Sequence, residues 1–448
     1  MFDKLEKILM PAADKMGKNK VLISIRDGFL VSVPLIIVGS IFLLIANFPI
    51  PGWSEFWARI FGEGWENYLG SVSTATFDII SLLTVVGIGY SYAKEIGADK
   101  IQGAIVSFVA FMILMPTTIQ YKGAEGPAHL SAISFHYTGT NGIFLAMLVS
   151  IFSVKIFHWV YKKDWTIKLP KGVPPSVFNS FAALIPSAIV MLIFFIIRIL
   201  FEFTPYENAF DFVYKVLQSP LMAVGDSLGA EIIYVLLSSV FWFFGINGPS
   251  VTNTVYSPMH MSLSVENVKA FQQGLSLPHI YTQQFVDMFE TFGGGGSTLS
   301  LVILMVTVCK SQRIKQLGKL SLVPGIFGIN EPIIFGLPIV LNPIMIIPFI
   351  GVPLMNTILS SIAFKTGFLP YTNGVNLPWT TPIGFSGFLV TGSIKASIFQ
   401  LILLALGCLV YYPFIKTLDK NYLKDESSEN TKDESEDISF DDISIDDL

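Results

Sequence analysis

The stretch Gly325-Ile326-Phe327-Gly328-Ile329-Asn330-Glu331-Pro332-Ile333-Ile334-Phe335-Gly336 decides the fold class, because residues 340–364 after it carry no charge at all. On insertion scales an acidic residue at mid-bilayer costs roughly 2.5–3.5 kcal/mol, so Glu331 is expected to face a cavity or a polar partner. Pro332 and the neighbouring glycines argue against a plain spanning helix. Irregular backbone at membrane depth survives only where protein or a water-filled site satisfies it. A simpler role is also open, in which Glu331 caps a helix start at a loop, with Pro332 in the first turn. The two roles are compatible.

Working outward, the whole chain shares this character. Its 448 residues are 52% apolar and 14% charged, with a mean hydropathy of +0.62; soluble chains average about 25% charged. Apolar stretches near the span length recur at 28–48, 73–93, 102–120, 141–161 and 178–203, then less regularly at 231–246, 299–310, 342–364 and 388–413. About twenty helical residues cross a hydrocarbon core. The expected fold is an all-α polytopic membrane protein with about ten spans and re-entrant pieces in its second half.

Residues 1–27 are charged and amphipathic, with Leu5, Ile8, Leu9 and Ala12 at helical spacing. The apolar segment that follows is too long for a signal peptide and lacks a small-residue cleavage site. These residues are expected to lie on the membrane surface as an interfacial helix in contact with lipid. Lys4, Lys7, Lys15, Lys18, Lys20 and Arg26 precede the first span, whereas the loops 50–72 and 121–140 hold only Arg59 and Lys122. The positive-inside rule then places the N-terminus in the cytoplasm. Lys416, Lys420 and Lys424 place the C-terminus there too, so the number of spans is even.

The net charge of −5 hides two populations. Residues 425–448 carry eleven acidic groups against Lys432 alone. The segment 416–448 therefore reads as an acidic, disordered, passive cytoplasmic tail. Cys309 and Cys408 both sit in apolar stretches and read as buried, inert thiols. No accessible Cys or His motif looks built to carry a phosphoryl group. His129, His136 and His158 show no metal-ligand spacing, and nothing points to a cofactor, a metal or nucleic acid.

Two halves use different sequence grammar. After the surface segment, residues 28–175 read as regular helices with short loops, a scaffold or oligomer-forming half. Gly39, Ser40, Gly87, Gly89, Gly103 and Ala104 suit close helix packing there. Residues 176–415 interrupt their apolar runs with polar clusters: Trp242 to Asn253, Pro278 to Thr298, the Glu331 segment, and Tyr371 to Pro382. Broken hydrophobic segments of this kind point to a transport site near the midplane. Their amides, hydroxyls, carboxylate and Trp rings suit a neutral sugar, whereas an ion path calls for several buried acids or bases and Glu331 stands nearly alone. The four glycines 293–296 invite a phosphate-loop reading, but G-x-x-x-x-G-K-[ST] fails because Leu299 follows Thr298. Their backbone N–H groups line a cavity or cradle a phosphoryl group, or the run is a flexible close-packed turn.

The segments Phe243-Phe244-Gly245-Ile246-Asn247-Gly248-Pro249, Gln284-Phe285-Val286-Asp287 with the glycine run, and Pro324 through Gly336 resemble the sugar-transporting C component (enzyme IIC) of the bacterial phosphotransferase system. The lactose/cellobiose/diacetylchitobiose branch is the nearest in motif, and the resemblance runs from Ile25 to about Pro413. It implies about ten transmembrane helices, two re-entrant hairpins, a homodimer formed through the N-terminal half, and residence in the bacterial cytoplasmic membrane. It also implies that Glu331 binds the sugar 6-hydroxyl and that Trp379 stacks on a ring. Asn330, Asn247, Ser250, Asn253, His279, Trp242 and Thr380 are the further expected sugar ligands. Position 247 is often His in that family; Asn247 removes an imidazole from this site.

The expected function is uptake of a β-linked disaccharide such as cellobiose or N,N'-diacetylchitobiose. The phosphoryl donor would be a separate cytoplasmic IIB subunit carrying a phosphocysteine, served by IIA. The rival is a proton-coupled sugar carrier without chemistry, in which Glu331 relays the proton. A channel or structural protein fits the polar hairpins less well.

Overall fold

The structure is a computed structural model that describes residues 18–48, 50–123, 126–168, 170, 180–337, 339, 342 and 344–437. Its first helix, α1 (Lys20–Ala46), is capped by Asn19, whose side chain accepts from the Val21 and Leu22 amides. The helix therefore starts upstream of the expected boundary at residue 28, and Lys20, Arg26 and Asp27 lie within its first turns. Leu5, Ile8, Leu9 and Ala12 of the expected surface helix lie outside the described residues.

The N-terminal half continues through α2 (Glu66–Phe77), α3 (Ile80–Ile96), α4 (Lys100–Leu114), α5 (Ile143–Lys162) and α6 (Leu184–Glu202). Small residues let α1 and α3 touch backbone to backbone. A Cβ on Gly87 would lie 2.4 Å from the Gly28 carbonyl oxygen. Gly39 takes the Thr76 side chain of α2 against α1, and Gly89 and Gly103 bring α3 against α4. In a lipid solvent, helices gain little from hydrophobic burial against one another, so such close approach carries the packing. One local feature departs from the expected plain loop at 121–140: β1 (Thr118–Gly123) and β2 (Gly126–Ser131) form an antiparallel ribbon pairing Thr118 with Ser131.

The second half is broken where its sequence is polar. Helices α7 (Ala209–Gly225) and α8 (Leu228–Phe243) meet at 75°, and the segment Gln283–Ser297 meets α10 (Leu299–Thr307) at 55°. Between these bent pairs runs α9 (Gly248–Gln272). There follow α11 (Gln312–Ile326), the short α12 (Glu331–Gly336), α13 (Ile346–Lys365), α14 (Phe385–Thr391) and α15 (Ile394–Asp437). Among the described residues six helices are long and apolar enough to cross a membrane, or up to eight if each bent pair is one span. The expected figure near ten is approximate because α4 is short and α9 is broken in composition by Ser, Thr, Asn and Pro258.

The expected disordered tail from residue 416 needs correction over residues 416–437; residues 438–448 lie outside the described residues. Helix α15 runs unbroken to Asp437, and its acids act as caps. Buried Asp419 accepts from the Lys310 and Ser311 amides, both at 2.9 Å. Glu426 accepts from the Ser311 hydroxyl at 2.6 Å and the Arg313 amide at 3.1 Å. Both carboxylates thus sit at the N-terminus of α11, where unpaired amides and the helix dipole favour negative charge. Asp419→Ala leaves two amides without their acceptor and should lower stability by about 2 kcal/mol. Deleting residues 425–448 should also lower it, since Glu426 goes with them. Thermal unfolding of the purified protein checks both, and an unchanged midpoint in Asp419→Ala would count against the capping role.

Candidate functional site

The site forms where the broken segments converge. Helix α11 ends at Ile326, and Gly328 just beyond it adopts φ +82°. The Ile329 amide returns to the Pro324 carbonyl, the capping pattern that a left-handed glycine permits. Asn330 follows, and α12 begins at Glu331 with Pro332 next, so the helix-start part of the plainer reading is correct, with Asn330 rather than Glu331 at the cap position. Ile333 and Ile334 of that turn are buried in a core with Trp242, Phe349 and Tyr411, which anchors α12. Glu331 itself is exposed and lines a cavity of about 420 Å³, so the helix start and the cavity role hold together.

The glycine run joins this hairpin to the preceding one. Asn330 donates through Nδ2 to the Gly295 carbonyl at 2.9 Å. A Cβ on Gly294 would lie 2.7 Å from the Gly328 carbonyl oxygen, and one on Gly295 would lie 2.6 Å from Trp242 Nε1. The run is a close-packed turn, and Gly293, Gly294 and Gly295 also line the cavity, so both non-phosphate-loop readings apply.

Two Trp residues face the same space in different ways. Trp242, in the last turn of α8, is only 5% exposed, whereas Trp379 is 58% exposed. Trp379 rides on a turn closed by the Thr381 amide and hydroxyl, both donating to the Pro378 carbonyl. Its ring lies over Gly328, where a Cβ would come within 3.1 Å of Cε3. Trp379 is therefore the ring free to stack on a ligand.

Asn247 caps α9 and accepts from the Ser250 amide and hydroxyl at 3.0 and 2.9 Å. Asn is among the best capping residues, so at this position it holds the helix start as well as lining the cavity. Asn253 accepts from the Tyr234 hydroxyl at 2.9 Å and also lines the cavity.

Three expected ligands are not brought to the lining. Ser250 spends its hydroxyl on Asn247, and Thr380 gives way to its neighbour Thr381. His279 lies in the connection after α9, with Nδ1 2.9 Å from Asp226 and Nε2 2.7 Å from Glu266. Burial there pushes its pKa down, but the two carboxylates outweigh it and raise the value from 6.5 to about 9. A group raised in this way stabilises the fold fully below about pH 6.5, and that stability is lost as pH rises through about 9. His279→Gln should therefore lower the unfolding temperature at pH 7 and differ little from wild type near pH 10. A gap that persists at high pH would show that packing, not charge, holds this corner.

Sequence reasoning missed several lining residues. Asp287 accepts from Gln283 at 3.0 Å, and both line the cavity with Tyr234 and Asn376. The i, i+4 spacing of Gln283 and Asp287 was the available signal. Nor does Glu331 stand alone, since Glu231, His260 and Glu290 are buried together behind this wall. The scaffold half also contributes: Leu30, Val33 and Ile37 of α1 line the cavity, and Ser40 Oγ accepts from the Asn376 amide at 2.9 Å. Among the described residues, the lining includes no Lys, Arg or His, and no group of three or more His, Cys, Asp or Glu could hold a metal ion.

The family model "Phosphotransferase system, EIIC" matches residues 26–353. This chain belongs to that EIIC family. The cellobiose-specific EIIC component of Geobacillus stearothermophilus is 40% identical over 433 residues, 95% of this chain and 96% of that protein. The lichenan permease IIC component of Bacillus subtilis (strain 168) is 38% identical over 427 residues, 94% of each chain. The crystal structure of the transporter ChbC, the IIC component of the N,N'-diacetylchitobiose-specific phosphotransferase system, superposes with a TM-score of 0.92 at 41% identity. It covers 94% of this chain and 99% of that one. The EIIC chain is thus a predominantly helical, multi-pass protein of the bacterial plasma membrane, as its motifs implied.

Proposed function

We propose that this EIIC chain binds a β-linked disaccharide, carries it inward, and presents its 6-hydroxyl to a phosphorylated cytoplasmic IIB subunit. One observation carries the reading. Around a single cavity stand Glu331, the amides of Asn247, Asn253 and Asn330, and the exposed Trp379 ring, without a cation among the lining residues. About 420 Å³ falls within the usual range for small-ligand sites. Carboxylate and amide groups recognise hydroxyls, and an aromatic face packs on the C–H face of a sugar. The relatives named for cellobiose, lichenan and diacetylchitobiose support the choice of sugar class.

In this reading Glu331 accepts the hydrogen bond of the 6-hydroxyl and orients it, or takes its proton, as phosphorus is attacked in line. Positioning supplies most of the catalysis in phosphoryl transfer. The product gains roughly −1.5 to −2 charges, so Glu331 and Asp287 repel it and favour release. The chain works as a homodimer through its N-terminal half, with both termini in the cytoplasm and IIA recharging IIB. Uptake that survives a protonophore but stops without the phosphorylated partner tests this against the proton-coupled carrier.

Sugar binding should quench or shift Trp379 emission. Trp379→Phe should remove most of the ligand-induced fluorescence change on titration with cellobiose or diacetylchitobiose. A full signal in that variant would move the stacking role to Trp242.

A further inference from the structure

Behind the cavity wall lies a polar layer that the proposed transport chemistry does not use. Glu231 of α8 and His260 of α9 have no solvent exposure and meet at 2.6 Å through Oε1 and Nε2. Glu290, 1% exposed, comes from the bent Gln283–Ser297 segment, and its side chain lies within hydrogen-bonding reach of Glu231. Thr357 of α13 donates to Glu290 Oε1 at 3.2 Å. One oxygen of each carboxylate, Oε2 of Glu231 and Oε2 of Glu290, finds no donor.

Two acceptor-only groups in buried contact repel, and each orphaned oxygen loses its hydration without return. A single proton on either carboxyl removes one of the two negative charges and turns that carboxyl into a hydrogen-bond donor. Carboxyl pairs at this kind of contact share one proton for that reason. The layer touches the cavity through Tyr234, one turn from Glu231. Its ring packs edge-on against His260, with centroids 5.7 Å apart, and its hydroxyl holds Asn253 Oδ1. The other titratable groups facing the layer are Tyr256 of α9 and Asp287 of the bent segment.

We propose that Glu231 and Glu290 hold one proton between them and, anchored by His260, act as positioning residues that set Tyr234 and the face Asn253 presents to the ligand. The affinity part rests on the sugar-binding reading above; the proton part does not.

The experiment uses the purified full-length protein. Infrared spectra at neutral pH, compared in H2O and D2O, should show the carbonyl stretch of a protonated carboxyl in wild type. The band should be lost in Glu290→Gln and in Glu231→Gln, and kept in Asp287→Asn. With cellobiose as probe, Glu290→Gln, which copies the protonated acid, should bind within about threefold of wild type, whereas Glu290→Ala should bind about tenfold more weakly. Wild-type affinity should fall as the band titrates away, and that slope should be flat in Glu290→Gln. Absence of the band in wild type, or its survival in both Gln variants, overturns the shared proton. Equal losses in Glu290→Gln and Glu290→Ala overturn the positioning role. Failure of wild type to bind cellobiose or diacetylchitobiose while the band behaves as stated overturns only the sugar reading.

Discussion

Glu331→Gln should keep the fold and abolish phosphorylation-coupled uptake, with sugar affinity lower by at least about tenfold. The carboxylate starts α12 without a side-chain cap of its own to lose, and Ile333 and Ile334 hold the turn in place regardless. Stability is therefore expected to change little. Hydrogen bonds to a charged acceptor are worth roughly 1.5–3 kcal/mol, which sets the binding loss. The loss in turnover exceeds it, because Gln neither takes a proton nor orients the hydroxyl as strongly for in-line attack. Binding by calorimetry and phosphoryl transfer from the charged partner subunit measure the two effects separately. Both within twofold of wild type would remove Glu331 from the reaction.

Gly294→Ala should be nearly as damaging, by a wholly steric route. Gly294 adopts φ +84°, and its added Cβ would meet the Gly328 carbonyl oxygen and Asn330 Cγ, both at 2.7 Å. At φ +84° and ψ −171° the backbone lies in a region open essentially only to glycine, which costs another residue about 1–3 kcal/mol. The clash adds to this because a backbone oxygen, unlike a side-chain end, has nowhere to turn. Relief requires the glycine hairpin to move away from the Asn330–Glu331 turn, which breaks the Asn330 bond to Gly295. The expected result is a midpoint of thermal unfolding several degrees lower and sugar binding weaker by about tenfold or more. Gly274→Ala is the matched control. It has φ +65° with nothing within 4 Å, so it carries a positive-φ penalty without the clash. If both variants bind sugar alike, the junction of the two hairpins does not set the site.

Much of the site was readable because its chemistry is local. A carboxylate, amides and Trp set among uncharged runs must be satisfied somewhere, and Asn247, Asn253, Asn330, Glu331, Trp242 and Trp379 do converge on one cavity. His279 misled because a histidine in a polar cluster reads the same whether it faces a ligand or two carboxylates. Only the folding of Asp226 and Glu266 against it distinguished the two. The tail misled because composition measures solubility and not capping. Its acidic composition predicts disorder, yet within the described residues Asp419 and Glu426 meet unpaired amides more than a hundred residues away.

By itself, then, the sequence determined the membrane environment, the helical class and the polar segments from which the site is made. These follow from free energies that each segment carries alone: apolar residues must leave water, and backbone in lipid must bond to itself. The tertiary structure alone decided that the scaffold helix α1 closes one wall of the cavity, that Gly294 and Gly328 lock two hairpins together, and that Glu231, His260 and Glu290 gather behind it. Those outcomes depend on which distant groups come within a few ångströms of one another, and no local pattern encodes that distance.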